Sequence, residues 1–263
     1  MRIAITGGTG TLGRHIVRAV RARGDDPVVL ARATGVDLTT GAGLDAALDG
    51  VDAVIDAVNV MTLSAEETTR FFAATTANLA AAAGRQDVAH LVVPSIVGID
   101  RAPRGYYVGK LAHEKAVRES GVPWTIQRLT QFHEFAGQIF AAASAGPFHV
   151  APRARVQPVA AETAAERLAA LAAGPAAGRV RDVAGPREER LDDMVRAYAR
   201  HIGHRGWMPG VSLPGGQMRA MRAGLVLPDD TAERTGPAFA DWLSALPPQA
   251  EGSRGPVPSS ARE

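Results

Sequence analysis

The chemistry that stands out in this sequence comes from a tyrosine and a lysine four residues apart, Tyr106 and Lys110, in the segment YYVGK. On a helix, residues at this spacing share one face. A phenol can give its proton to a carbonyl oxygen while a hydride attacks the carbon, and a nearby ammonium lowers the pKa of the phenol by favouring phenolate. Lysine, as a compact charge, can also hold a ribose. The spacing therefore predicts reduction of a carbonyl group.

Two details of this catalytic set are open at the level of sequence. Tyr107 also precedes Lys110, so either tyrosine could lie near the reacting atoms, and Tyr107 could instead gate the substrate cleft. Tyr106 could also pack against its helix while Lys110 is solvated. Ser95 ends an apolar run eleven residues before Tyr106, and its hydroxyl is a candidate to bind the carbonyl oxygen. The predicted catalytic residues are therefore Tyr106, Lys110 and Ser95.

A glycine-rich segment near the N-terminus, TGGTGTLG over residues 6–13, is the second chemical feature. It lies between the first predicted strand and the first predicted helix. Glycines let the backbone turn sharply and approach phosphates closely, and a helix N-terminus attracts negative charge. This context favours a dinucleotide pyrophosphate site over an ordinary glycine turn. The predicted contacts are Gly7, Thr9, Gly10, Thr11, Leu12 and Gly13.

The residues after the next strands predict which dinucleotide is bound. Arg32 follows the second strand, where an NAD site usually has an acidic residue, so it favours the 2′-phosphate of NADP(H), and Arg14 could share that phosphate. Both could instead be surface arginines of an arginine-rich protein. Asp37, expected after a short third strand, could meet the adenine or cap the following helix. Ala57 and Asn59, at the end of the next strand, are further predicted cofactor contacts.

A parallel sheet is needed to bring these residues together. Apolar runs of strand length alternate with helical patterns along the chain, which is typical of a Rossmann-type doubly wound α/β fold with helices on both faces. The predicted strands are 1–6, 27–31, 51–58, 90–93, 124–128 and 180–183, besides the short one before Asp37. The predicted helices are 12–23, 44–48, 65–83, 106–119, 132–143, 160–173 and 191–202.

The pattern also predicts how the chain is divided. Residues 1–130 read as the dinucleotide-binding Rossmann domain, and residues 131–246 as a smaller substrate-binding lobe interleaved with the sheet. Within that lobe we expect residues 146–159, with Arg153 and Arg155, to form a lid over the cleft. Residues 247–263 are rich in Pro, Ser, Gly and charge and are expected to be a disordered tail.

The composition excludes several classes of function. The chain has no cysteine, which excludes thiol catalysis and disulfides, and no metal site is predicted. Twenty-nine basic residues, all arginine except Lys110 and Lys115, nearly balance 27 acidic ones, so we do not predict nucleic-acid binding. No run approaches the roughly 20 apolar residues of a membrane span, and no signal peptide is expected. We expect a cytoplasmic protein, and the sequence leaves open whether it forms a homo-oligomer.

Taken together, TGGTGTLG, Ser95, YYVGK and the later segment SGVPWTIQRLTQFHEF resemble the atypical short-chain dehydrogenases/reductases of the NmrA-like, NAD(P)H-binding group. The resemblance spans roughly residues 1–245 and is strongest in the glycine loop and over residues 106–135. It implies dinucleotide contacts at Gly7, Gly10, Gly13 and Arg32, and it places Lys110 at the nicotinamide ribose. It also implies that the nicotinamide end is lined by Leu129, Thr130, Gln131 and Phe132.

These observations lead to one main hypothesis and two alternatives. The main one is an NADPH-dependent reductase acting on a carbonyl or quinone of a small to medium apolar molecule, with bacterial secondary metabolism as a candidate setting. Its predicted substrate contacts are Tyr107, Phe132, His133 and Phe135. Because some members of the group lack a catalytic tyrosine, the runner-up is a non-catalytic NAD(P) redox sensor acting through a protein partner. An epimerase or dehydratase with tightly held NAD is disfavoured by Arg32.

Overall fold

Within the part of the chain that the structure describes, eight parallel strands form the central sheet. The computed structural model describes residues 1–60, 62–145 and 148–247. The strands of these residues are β1 (Arg2–Thr6), β2 (Asp26–Leu30), β3 (Ala53–Asp56), β4 (His90–Ile96), β5 (Trp124–Leu129), β6 (Ser144–Ala145), β7 (Phe148–His149), β8 (Ala151–Pro152), β9 (Arg155–Val156), β10 (Gly178–Arg179), β11 (Val183–Ala184), β12 (Glu189–Arg190), β13 (Gly210–Val211) and β14 (Glu233–Arg234). The helices are α1 (Thr11–Ala22), α2 (Leu44–Leu48), α3 (Ala65–Arg85), α4 (Tyr106–Arg118), α5 (Phe135–Ala142), α6 (Ala161–Ala172), α7 (Leu191–His201), α8 (Gly216–Arg222) and α9 (Phe239–Ala245).

The order of the strands creates a binding crevice. Across the sheet the order is β14-β11-β5-β4-β3-β1-β2, with β10 also beside β5. The chain runs from β1 outward to β2 and then returns to place β3, β4 and β5 on the other side of β1. Ligands of such open sheets bind outside the carboxyl ends of the strands where the order reverses. The end of β1, which leads into the glycine loop, lies at this position.

Helices cover both faces of the sheet, which confirms the predicted Rossmann-type fold. Helices α1 and α6 pack together over one face, where Ile3 and Ile5 point from β1. Ala4 points to the opposite face, where it belongs to the same core cluster as Leu79 of α3 and Val117 of α4. Both alternating side-chain sets of β1 are thus buried, as expected for a parallel sheet.

The part of the chain after residue 130, here called the C-terminal region (residues 131–247), contributes to two layers. Strands β10, β11 and β14 extend the central sheet, and helix α6 packs against the sheet beside α1. Helices α5, α7, α8 and α9 form a third core cluster that also includes Tyr107 at the start of α4. The tyrosine pair is therefore joined to the C-terminal region. No helix among the described residues is long and apolar enough to cross a lipid bilayer.

The predicted third strand before Asp37 is wrong. Residues Arg32–Thr34 form a single 3-10 turn, and the hydroxyl of Thr34 donates to the backbone carbonyls of Val29 and Ala31. Gly35 then reverses the chain with a φ of 82°. These local hydrogen bonds satisfy the backbone of the segment without a neighbouring strand.

Two further boundaries differ from the prediction. The strand expected over 180–183 is divided into β10 and β11, and across the break the side-chain amide of Gln127 donates to the carbonyl of Arg181. The helix expected from Phe132 begins at Phe135, because Phe132 and His133 pair with Val159 as in a short parallel bridge.

The predicted lid and tail are only partly described. Residues 146–147 of the predicted lid, and residues 248–263 at the end of the chain, lie outside the described residues. The rest of the predicted lid contains short strands, of which β8 pairs with β13 and β9 pairs with β12. Arg155 forms an ion pair with Glu188 at 2.6 Å.

Candidate functional site

The glycine loop is held in a shape that only glycine allows at two positions. Gly7 has a φ of 61°, and a Cβ there would lie 2.7 Å from the carbonyl oxygen of Ala57. A Cβ on Gly13 would lie 2.1 Å from the carbonyl oxygen of Gly7. Gly10 closes the loop by donating its amide to Gly7 O at 2.9 Å. The loop therefore leaves open a cradle that side chains at these positions would fill.

The first turn of α1 faces this cradle with its amides uncapped. Gly10 is the N-cap residue and offers no side-chain hydrogen bond, and the first turn has no acidic residue. The first N–H groups of a helix have no partner within it, and they attract a phosphate. Arg14 folds back so that its guanidinium donates to Thr9 O at 2.9 Å, and Gln138 of α5 reaches Thr11 Oγ1 at 3.3 Å. These residues fit the pyrophosphate of a dinucleotide.

The strand register brings the other predicted cofactor residues to the same edge. Thr6 pairs with Leu30 on one side and with Asp56 on the other. Exposed Arg32 follows the end of β2, and half-buried Ala57 follows the end of β3. Both therefore lie at the edge of the sheet next to the glycine loop. The carboxylate of Asp37 accepts hydrogen bonds from the amide and hydroxyl of Thr39, and its contact with the adenine stays a prediction. It stabilises that turn and does not cap α2.

The two tyrosines at the start of α4 reach different partners. The hydroxyl of Tyr106 donates to Asn59 Oδ1 at 2.7 Å, which places it at the carboxyl end of β3. The hydroxyl of Tyr107 lies beside the side-chain amides of Gln131 and Gln217. Burial raises the pKa of Tyr106, and it raises that of Tyr107 to about 12, although the two amides oppose the shift. Both phenols are therefore protonated donors at neutral pH.

The side chain of Lys110 lies inside the protein, with hydrogen-bonding partners other than Tyr106. Its side chain is only 5% exposed, and its ammonium donates to the carbonyl of Pro94 at 3.0 Å and lies 3.0 Å from His113 Nδ1. The Phe72 ring covers the ammonium at 4.8 Å. Burial lowers the pKa of Lys110 to about 8, although Asp56 and Glu114 oppose the shift. Burial and the neighbouring Tyr107 raise the pKa of Tyr106, and the lowering expected from this ammonium stays a prediction.

Ser95 is tied into a buried ion-pair network. Its hydroxyl donates to Glu114 Oε1 at 2.6 Å, and the guanidinium of Arg128 binds both oxygens of the same carboxylate at 2.8 and 3.0 Å. Burial would raise the pKa of Glu114, but Arg128 and Ser95 hold it below its usual value. In this structure Ser95 therefore joins β4 to α4, and its proton is not directed at the cleft that the sequence predicted.

The residues expected near the nicotinamide or the substrate differ in how deeply they are buried. Leu129 is 1% exposed in the core cluster below α6, so its side chain does not line a cleft. His133 is fully buried, its Nε2 lies 3.0 Å from the carbonyl of Pro237, and its ring packs on Trp242. The substrate contact that the sequence predicts for His133 stays a prediction. Half-buried Phe132 and Phe135 pack against two different core clusters.

Four residues of the site were missed by the sequence analysis: Asp56, His113, Gly109 and Gln217. His113 Nε2 lies 3.0 Å from Asp56 Oδ2, in a fully buried pair. A Cβ on Gly109 would lie 2.3 Å from Thr68 Cβ, so this glycine lets α4 approach α3. A signal was present for Asp56, because an acidic residue in an otherwise apolar strand needs a buried partner. Gln217 lies on α8, and no pattern in the sequence indicated that it belongs to the site.

Comparison with known proteins shows which family the chain belongs to. A family model described as NAD(P)H-binding matches residues 7–167. Among curated proteins, a (4-alkanoyl-5-oxo-2,5-dihydrofuran-3-yl)methyl phosphate reductase of Streptomyces griseus is 31% identical over 222 residues, which cover 76% of this chain and 74% of that protein. The match to the family and the similarity to a reductase support an NAD(P)-dependent oxidoreductase.

Solved structures share the fold over nearly the whole chain. MoeE5, solved with UDP-glucose and NAD, is 18% identical with a TM-score of 0.69, and the match covers 93% of this chain and 98% of that one. A UDP-N-acetylglucosamine 4-epimerase of Bacillus cereus is 19% identical with a TM-score of 0.66, covering 92% and 94%. At this identity the likeness concerns the fold alone. The family match over residues 7–167 shows that the chain belongs to the NAD(P)H-binding family, whose cofactor is a nicotinamide dinucleotide.

Proposed function

We propose that the protein is an NADPH-dependent reductase of a carbonyl or quinone group in a small to medium apolar molecule. The observation that carries this proposal is the hydroxyl of Tyr106, which donates to Asn59 Oδ1 at the sheet edge beside the glycine loop. A substrate oxygen that replaces Asn59 as acceptor would receive this proton. The bound dinucleotide supplies the hydride. Similarity to a curated reductase supports the same reaction class.

The surroundings of the tyrosines favour an apolar substrate with few polar atoms. Leu63 is 76% exposed, and its backbone carbonyl lies 3.0 Å from the Cβ position of Gly105, one residue before Tyr106. Gln131 and Gln217 each have a buried side-chain oxygen with no hydrogen-bond partner among the residues that the structure describes. Buried polar atoms are normally paired, so these oxygens are candidates to meet a polar group of the substrate.

Arg32 supports the choice of NADPH over NADH. It begins the turn that follows β2, is exposed, and lies at the edge where β1 enters the glycine loop. Arg32→Ala is expected to weaken NADPH binding by about 10- to 100-fold, the equivalent of one or two charge-assisted hydrogen bonds, and to leave NADH binding unchanged. Titration of the purified protein with each nucleotide measures this. Arg21→Ala, an exposed arginine on α1, is the matched control, and equal NADPH affinity in both variants would refute the assignment.

The reaction itself is tested by NADPH oxidation with a panel of ketones, quinones and unsaturated lactones. Turnover of at least one of them supports the proposal, and tight NADPH binding without turnover of any contradicts it. The latter result would favour the second candidate, a redox sensor that binds the dinucleotide without transferring hydride to a substrate. One observation supports that candidate, because the polar atoms of Ser95 and Lys110 are both engaged inside the protein.

A further inference from the structure

A continuous chain of buried polar side chains runs from the base of the glycine loop to Lys110. Thr6, the last residue of β1 and the first of the TGGTGTLG segment, donates its hydroxyl proton to Asp56 Oδ1. Asp56 Oδ2 lies 3.0 Å from His113 Nε2, and His113 Nδ1 lies 3.0 Å from the ammonium of Lys110. All four side chains are buried. The chain thus joins β1, β3 and α4 at the point where the dinucleotide site begins.

The hydrogen-bonding partners fix the position of the proton on His113. An ammonium can only donate, so His113 must present a lone pair on Nδ1 towards Lys110. The ring hydrogen is then on Nε2, from which it is donated to the carboxylate of Asp56. A protonated His113 would turn an N–H towards the ammonium, and burial together with the charge of Lys110 lowers the pKa of His113 against that state.

The ammonium of Lys110 is enclosed on its remaining sides. Phe72 of α3 covers it, and the same ring stacks on His113 with centroids 4.7 Å apart and an interplanar angle of 9°. The carbonyl of Pro94 accepts one of its hydrogen bonds. The charged groups that face Lys110 are Asp56 on β3 and Glu114 on α4, and Glu114 is itself paired with Arg128. Asp56 is therefore the facing carboxylate that lacks an arginine partner among the described residues.

We propose that Asp56 and His113 are positioning residues for Lys110: Asp56 selects the tautomer of His113 that can accept from the ammonium, and His113 then holds the ammonium in place. Thr6 connects this arrangement to the base of the glycine loop. The proposal deepens the proposed function, in which Lys110 serves the dinucleotide site, but its first test does not depend on that function.

The two lysines of the chain make a direct test feasible. With lysine labelled at 13Cε, the NMR spectrum should contain two lysine signals, and Lys115→Arg assigns them. In the wild type, the Lys110 signal should titrate with a pKa of about 8. Asp56→Asn removes a carboxylate whose charge raises this pKa, so the midpoint should fall further, by about one unit. Asp49→Asn, an exposed acidic residue outside this chain of contacts, should leave the midpoint unchanged.

Two variants at His113 separate positioning from packing. In His113→Asn the side-chain oxygen can take the place of Nδ1, so Lys110 should keep a sharp signal, whereas in His113→Leu the signal should broaden or shift. A Lys110 midpoint that is the same in Asp56→Asn, Asp49→Asn and wild type would overturn the proposal. If Asp56→Asn fails to fold, the two His113 variants are compared instead, and identical Lys110 signals in them would overturn it.

A second readout separates this proposal from the proposed function. The pH dependence of NADPH binding should move with the midpoint of Lys110 in Asp56→Asn. If the midpoint moves while NADPH binding keeps its pH dependence, the positioning roles of Asp56 and His113 are upheld. The role of Lys110 at the dinucleotide, which belongs to the proposed function, is then the part that fails.

Discussion

Gly13→Ala is expected to weaken dinucleotide binding by about 100-fold while the protein still folds. The added Cβ would lie 2.1 Å from the carbonyl oxygen of Gly7 and 2.6 Å from the Cα of Gly8. Backbone atoms cannot rotate away as a side chain can, so the loop must open and the phosphate cradle is lost. Overpacking of this kind costs about 1–3 kcal/mol, and the upper value corresponds to roughly 100-fold in affinity. Calorimetric titration with NADPH, together with a thermal melt, measures both effects.

Two other glycines provide matched controls for this prediction. Gly84 lies in α3 with nothing within 4 Å of its Cβ position, so Gly84→Ala should leave binding unchanged and stabilise the helix by about 0.5–1 kcal/mol. A Cβ on Gly10 would lie 3.2 Å from Gly7 O, so Gly10→Ala should have an intermediate effect. Wild-type NADPH affinity in Gly13→Ala would show that the loop is not the phosphate cradle.

The fold could be predicted from sequence wherever the residues of one continuous segment determine the structure of that segment. The glycine loop is contiguous, its flanking strand and helix are strongly patterned, and α2 begins and ends at the residues that the periodicity indicated. The failures occur where a distant or polar side chain decides the backbone. The Gln127 amide bridges the break between β10 and β11, and the hydroxyl of Thr34 stabilises a turn where a strand was expected.

The candidate site was less accessible to sequence because its side chains are oriented by other elements. Tyr106 and Lys110 do share a helix, but Lys110 is drawn inward by His113 and by the Phe72 ring from α3. The spacing within α4 contains no information about either contact. The apparent role of Ser95 changed for the same reason, since Glu114 on α4 accepts its proton. Helical spacing shows which side chains share a face of the helix. Their buried charged partners determine which hydrogen bonds those side chains form.

Tyr106→Phe is expected to lower turnover by on the order of 10²- to 10⁴-fold, the usual contribution of a general acid, without weakening NADPH binding. The variant removes one hydroxyl and keeps the ring that packs near Phe72. Burial raises the pKa of this phenol, and a phenol can donate its proton only below its pKa. Ionisation of Tyr106 should therefore cause no loss of rate between pH 6 and pH 9. The measurement is kcat and KM across this range with the best acceptor of the panel.

Tyr107→Phe is the matched variant, because it removes the same atom from the neighbouring ring. The hydroxyl of Tyr107 lies beside Gln131 and Gln217, on the side of the C-terminal region, where a substrate would be held and not protonated. It should therefore raise KM several-fold and change kcat much less than Tyr106→Phe does. The opposite result, with kcat lost in Tyr107→Phe and kept in Tyr106→Phe, would make Tyr107 the proton donor. The hydrogen bond from Tyr106 to Asn59 would then serve only to anchor α4 to the end of β3.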